Sequence, residues 1–139
     1  MNETQDRNWL GDADDDVYKE NILDHYRHPH NYGEMSNPTF SAREINPLCG
    51  DNLEMSVELR ENKIEDIKFR GSGCAVSMAS ASMLTQKVKG MTLEEAKRIT
   101  DKDIFEIIGI RLGVVRAKCG LLGLKALLKG ADEYDKSKK

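Results

Sequence analysis

The chain is 139 residues long, the length of one domain, so a single hydrophobic core is expected. Its formal net charge of −3 argues against nucleic acid as the main partner, which needs a basic surface, and no apolar run reaches the roughly 18–20 residues that span a bilayer. The 39% hydrophobic and 32% charged content reflects polar ends: MNETQDRNWLGDADDD at one and DKSKK at the other bury too little to order themselves. These limits predict a disordered segment 1–16, a folded domain 17–132 and a polar tail 133–139. The chain opens without a basic stretch followed by an apolar one, so a signal peptide is not expected and a cytoplasmic location is.

In chain order, Val17–His28 reads as a helix, with Val17, Ile22, Leu23 and Tyr26 on one side and Pro29 as its end. A loop, HPHNYGEMSNP, follows. Thr39–Ile45 alternates weakly, whereas Leu53, Met55, Val57 and Leu59 alternate strictly with polar residues, the pattern of a half-buried strand. After the polar turn Arg60-Glu61-Asn62-Lys63, Ile64, Ile67 and Phe69 predict the returning strand of a hairpin, and Gly71-Ser72-Gly73 interrupts it. Ala75–Lys89 predicts a helix with Gly90 as its stop; Met78 to Met83 within it read as core. Thr92 and Glu95 have the spacing of a capping box for a short helix Leu93–Ile99, and Asp101 or Asp103 is suited to cap another through Ile107-Ile108. A last helix is predicted over Ala117–Leu128, with Gly130 beyond it. One helix, three strands and then helices give an α+β fold, a three-stranded antiparallel sheet with helices packed on one face.

The three cysteines carry the chemical argument. An odd number cannot close into a full set of internal disulfides, and in a reducing compartment free thiols are metal ligands, nucleophiles or small buried hydrophobes. Each stands next to glycine where an element begins or ends: Cys49 in Asn46-Pro47-Leu48-Cys49-Gly50-Asp51, Cys74 after Gly71-Ser72-Gly73, and Cys119 in Arg116-Ala117-Lys118-Cys119-Gly120. Glycine lets backbone approach a bulky inorganic ligand, and a helix start stabilises thiolate, to which Arg116 and Lys118 add positive charge. The cysteines are separated by 25 and 45 residues, which matches no compact zinc-finger spacing. A shared site must therefore be assembled by tertiary folding.

These three motifs, with Ile22-Leu23-Asp24-His25-Tyr26-Arg27 and Ser77-Met78-Ala79-Ser80-Ala81-Ser82-Met83, resemble the IscU/SufU/NifU N-terminal family of iron–sulfur cluster assembly scaffolds from about Tyr18 to Leu128. The resemblance implies that Cys49, Cys74 and Cys119 are ligands, joined by Asp51. The cargo would be a [2Fe–2S] or a [4Fe–4S] cluster, and the partners a cysteine desulfurase and acceptor apo-proteins, with the working unit a monomer or a homodimer. A carboxylate is a harder and weaker ligand than thiolate for iron in a sulfide cluster, so Asp51 would be the labile corner; the alternative is that it caps the turn before the next strand. Cys119 and Cys49 are the candidate sulfur acceptors, with Lys118 and Arg116 in support. Lys118 either pairs with Asp51 or faces solvent.

Two branches of the family differ at this site. The IscU type has histidine immediately before its last cysteine, whereas Arg116-Ala117-Lys118-Cys119 matches the Arg-x-Lys-Cys of the SufU type. The SufU type also carries an insertion between its second and third cysteines, for which the 45-residue spacing here is too short. A scaffold that builds and delivers clusters is the first reading, which makes the protein a carrier with no turnover of a small substrate. A zinc-bound sulfurtransferase on the same four residues is the second, since tetrahedral Cys₃Asp suits Zn²⁺. A purely structural zinc domain is a third, and it predicts unfolding on metal removal. His25, His28 and His30 form no ligand pattern across Pro29; the resemblance places part of the desulfurase contact on this N-terminal helix.

Overall fold

The computed structural model describes residues 13–48 and 50–138, so Cys49 and most of the segment 1–16 lie outside the described residues. In chain order the elements are α1 (Ala13–Arg27), β1 (Phe40–Ile45), β2 (Asn52–Arg60), β3 (Lys63–Ser72), α2 (Ala75–Val88), α3 (Leu93–Lys97), α4 (Asp101–Ile108) and α5 (Val114–Ser137). The three strands form one antiparallel sheet in the order β1-β2-β3.

Alternation along β2 sends Leu53, Met55 and Val57 fully into the core, where Ile64, Ile67 and Phe69 of β3 join them. Glu61 and Asn62 both take positive φ, 53° and 65°, which is the twist a two-residue hairpin turn requires. Helices α2 and α5 cover the apolar face of the sheet, while α1 packs on the far side of α2. Burial therefore converges on α2, whose residues from Val76 to Thr85 are all buried. This explains its small and hydroxyl-bearing side chains: larger ones would hold α1, α5 and the sheet apart. Met78 and Met83 belong to this core.

Helix α3 stops at Lys97, two residues short of the expected Ile99, and three larger differences concern the other helices. First, α1 opens at Ala13 rather than Val17. Second, α4 is capped by Thr100, which accepts from the Asp103 amide while Asp103 reaches back to the Thr100 amide; Asp103 is the reciprocal partner in a capping box, not the cap. That bond holds the Asp103 carboxyl below the ordinary carboxylate range, as the equivalent bond from Thr92 does for Glu95.

Third, α5 runs from Val114 to Ser137 and so includes both Gly130 and most of the polar stretch from 133 onward. Gly130 does not end the helix; it lets the helix approach β1. A Cβ built there would lie 2.8 Å from the Phe40 ring and 3.2 Å from Ala42 Cβ. Gly123 has the same role one layer in, against Met55 and Ala81. The polar end of α5 is tied back by ion pairs, Lys97 with Asp135 and Lys129 with Glu44. No helix among the described residues is long and apolar enough to cross a membrane.

Candidate metal centre

The start of α2, the second turn of α5 and the loop before β2 meet at one end of the sheet. Cys74 is the N-cap of α2, with extended backbone (φ −73°, ψ 172°) and a half-buried side chain that makes no capping bond. Cys119 is buried on α5, which begins at Val114, so it stands more than a turn inside the helix rather than at its start. The partial positive charge of a helix terminus fades within the first turn. Of the two described cysteines, only Cys74 therefore stands at a helix terminus, and the helix-start expectation for Cys119 is corrected.

The loop is shaped by Asn46, which is itself buried. Its amide donates to the Asp51 carbonyl at 2.8 Å, its carbonyl accepts from Gly50 at 2.8 Å, and its side-chain oxygen accepts from the Leu48 amide at 3.1 Å. Gly50 supplies the positive φ, 77°, that closes this turn. The result buries the Asp51 carboxylate beneath the start of α2, where Oδ2 accepts a short 2.5 Å bond from Ser77 and a longer 3.3 Å bond from the Cys74 amide.

Asp51, Cys74 and Cys119 each offer one ligand atom, and the three atoms lie within 4.8 Å of one another. Among the described residues this is the one group of three or more potential metal ligands. Ligands sharing a tetrahedral zinc ion at about 2.3 Å stand roughly 3.8 Å apart, so only a small contraction would bring these atoms onto one ion. Cys49, the third cysteine of the expected set, lies outside the described residues.

Lys118 and Arg116, the cations expected to support the site, line two different clefts. Lys118 is exposed, the second of its two sequence readings, and lines a cleft of about 190 Å³ with Glu44, Asn46, Leu48 and Lys125. Arg116 is exposed on the other flank, beside Ala75, Val76 and Ile22. Exposed apolar side chains rim both flanks: Ile45 and Leu48 on the loop side, Val114 and Val115 on the first turn of α5.

Sequence reasoning missed two residues here. Asn46 approaches Cys119 Sγ with its side-chain amide at 3.9 Å, and Ser77 holds Asp51. The sequence did carry a signal for Ser77, a hydroxyl three residues after Cys74 at a helix start, although its partner could not be read there. The histidines lie elsewhere. His25 is buried with Nδ1 at 2.7 Å from Ser82 Oγ, and its ring sits 4.9 Å from that of His30. No third ligand joins them among the described residues.

A loop–strand–helix frame carrying Cys and Asp at these three points can be compared with known proteins. The family profile described as "NifU-like N terminal domain" matches residues 17–139. The chain belongs to this family. Its curated relatives include the zinc-dependent sulfurtransferase SufU of Bacillus subtilis, 38% identical over 133 residues that span 84% of this chain and 90% of that protein. They also include the iron–sulfur cluster assembly scaffold protein IscU of Escherichia coli, 35% identical over 127 residues and covering 88% of this chain and 97% of that one. Among solved structures, a putative iron–sulfur cluster assembly scaffold protein for the SUF system from Fervidobacterium islandicum superposes with a TM-score of 0.71. It is 26% identical and covers 83% of this chain and 96% of its own. Both branches of the family are thus represented at similar distance, and the shared α+β frame agrees with the expected fold.

Proposed function

We propose that this member of the NifU-like N-terminal family is an iron–sulfur cluster assembly scaffold. It accepts sulfur from a cysteine desulfurase, builds a cluster on Cys49, Asp51, Cys74 and Cys119, and passes the cluster to acceptor proteins in the cytoplasm. The observation that carries this reading is the convergence of Asp51, Cys74 and Cys119 ligand atoms within 4.8 Å from three separate elements. Cys49 enters as the cysteine two residues before Asp51 in the chain.

The chemistry follows from the ligand types. A scaffold thiolate attacks the outer sulfur of a donor persulfide, the S–S bond breaks, and the donor leaves as thiolate. Each sulfane sulfur then takes two electrons from a thiol or protein reductant to become sulfide as iron enters. Thiolates hold iron firmly, while the carboxylate is the weaker ligand through which exchange onto an acceptor's thiols begins. The apolar rim of Ile45, Leu48, Val114 and Val115 around the site suits transient docking of donor and acceptor proteins.

A second reading, a zinc-dependent sulfurtransferase, is favoured by one observation: lysine, not histidine, precedes Cys119, and it faces solvent rather than supplying a ligand. The two readings separate on anaerobic purification with metal and acid-labile sulfide analysis. Visible charge-transfer bands with iron and sulfide in equal amounts support the scaffold. Colourless protein holding one zinc per chain, which stimulates the desulfurase without forming a cluster, supports the sulfurtransferase and rejects the first reading.

A further inference from the structure

We propose that Ser77 is a positioning residue for the metal centre, holding the Asp51 carboxylate in place as a ligand. The inference rests on the reading of Asp51 as a ligand and adds to it a residue on a different element.

Ser77 is fully buried at the third position of α2, one turn after Cys74. A serine hydroxyl has one hydrogen to give, and here it goes to Asp51 Oδ2 at 2.5 Å. The same oxygen of Ser77 lies 3.5 Å from Cys74 Sγ, within hydrogen-bonding reach of sulfur. A chain of hydrogen bonds, Cys74 to Ser77 to Asp51, therefore links two of the ligands. The Cys74 amide adds a second donor to Oδ2 at 3.3 Å. Gly73 makes the approach feasible: a Cβ there would stand 3.0 Å from Ser77 Cβ and 3.1 Å from Asp51 Cγ.

Burial determines why this matters. A carboxylate removed from water is stable only where donors replace its hydration. Asp51 is 7% exposed, and Ser77 gives Oδ2 a shorter hydrogen bond than the Cys74 amide does, so losing that donor loosens the orientation of the carboxylate beside the cysteines. Hydrogen-bonded neighbours of ligating carboxylates commonly tune metal affinity through orientation in this way. Ser77 thus keeps the weakest ligand within reach of the metal, ready to close the site again after each exchange.

The test is anaerobic Co²⁺ titration of the full chain as wild type, Ser77→Ala, Ser77→Thr, Asp51→Ala and the double variant, read by the ligand-field and thiolate charge-transfer bands. Alanine is smaller than serine and the best helix former, so α2 is retained, and thermal unfolding of the metal-free proteins checks this. Ser77→Ala should weaken Co²⁺ binding by about tenfold or more and move the bands toward those of Asp51→Ala. Ser77→Thr, which keeps the hydroxyl, should restore the wild-type bands, and the double variant should bind no more weakly than Asp51→Ala alone. A Ser77→Ala protein with wild-type affinity and spectrum overturns the proposal. So does a double variant that loses the same further factor, because Ser77 would then act independently of Asp51. If Asp51→Ala itself leaves the spectrum unchanged, Asp51 is not a ligand, and the four-residue site fails together with this inference.

Discussion

Ser80 of α2 donates its hydroxyl hydrogen to the backbone carbonyl of Gly120 on α5 at 2.6 Å, in the core and one residue beyond Cys119. This bond fixes the register of the two helices that carry Cys74 and Cys119. Ser80→Ala should cost about 1–2 kcal/mol, the value of one buried hydrogen bond, in equilibrium urea unfolding. An unchanged midpoint would mean that packing alone sets the register.

Gly71 stands at the end of β3 with φ +145°, and a Cβ added there would lie 2.1 Å from the Asn52 carbonyl oxygen. All three nearest atoms are backbone, so no side-chain rotation can relieve the clash. Gly71→Ala should destabilise the fold by about 3 kcal/mol, combining overpacking with a disfavoured φ. Because Gly71 pairs with Leu53 between Asp51 and Cys74, the variant should also lose affinity for divalent metal. Wild-type stability would contradict the geometry.

Burial lowers the pKa of His25, the neighbouring His30 lowers it further, and Asp24 partly opposes both. The folded protein thus prefers neutral imidazole more than the unfolded chain does, whose histidine titrates near 6.5. The resulting stability is present above that pH and lost as pH falls through it toward the lower folded value. The unfolding midpoint should therefore drop between about pH 7.5 and about pH 5.5. His25→Gln should be less stable at neutral pH, having lost the fit to Ser82, but should show a shallower pH dependence. Equal slopes for the two proteins would assign the effect to other groups.

With Asp51 as the labile ligand, Asp51→Ala should still assemble a cluster but transfer it to an apo-acceptor roughly tenfold more slowly, an increase in barrier of about 1.4 kcal/mol. The measurement is the circular dichroism signal of cluster moving between the two proteins. Weaker equilibrium binding of a lone Co²⁺ by the same variant is compatible with this, because a cluster left on thiolates exchanges slowly even with one ligand fewer. Unchanged transfer kinetics would remove Asp51 from the exit route.

Local patterns made much of the frame legible. Strict alternation from Leu53 to Leu59, the Arg60–Lys63 turn and the Thr92–Glu95 box each depend on residues within one turn or one hairpin, and each appears where the sequence puts it. Gly130 shows where such reading fails. Glycine after a leucine-rich stretch has the same local appearance whether it ends a helix or lets one press against Phe40, and only the sheet decides between them. The cap of α4 is Thr100 rather than Asp101 or Asp103 for a similar reason: threonine and aspartate both serve in such boxes, and backbone direction assigns their roles.

The site divides along the same line. Cysteine type, flanking glycines and the Asp two residues past Cys49 are properties of short segments, so the side chains available for metal chemistry can be read before any folding is known. That Asp51, Cys74 and Cys119 bring ligand atoms within 4.8 Å of one another, and that Ser77 bonds the carboxylate, emerges only once the chain is folded. Chain distance is why: Asp51 stands 23 positions before Cys74, 26 before Ser77 and 68 before Cys119, and no local preference encodes where a loop and two helices will meet.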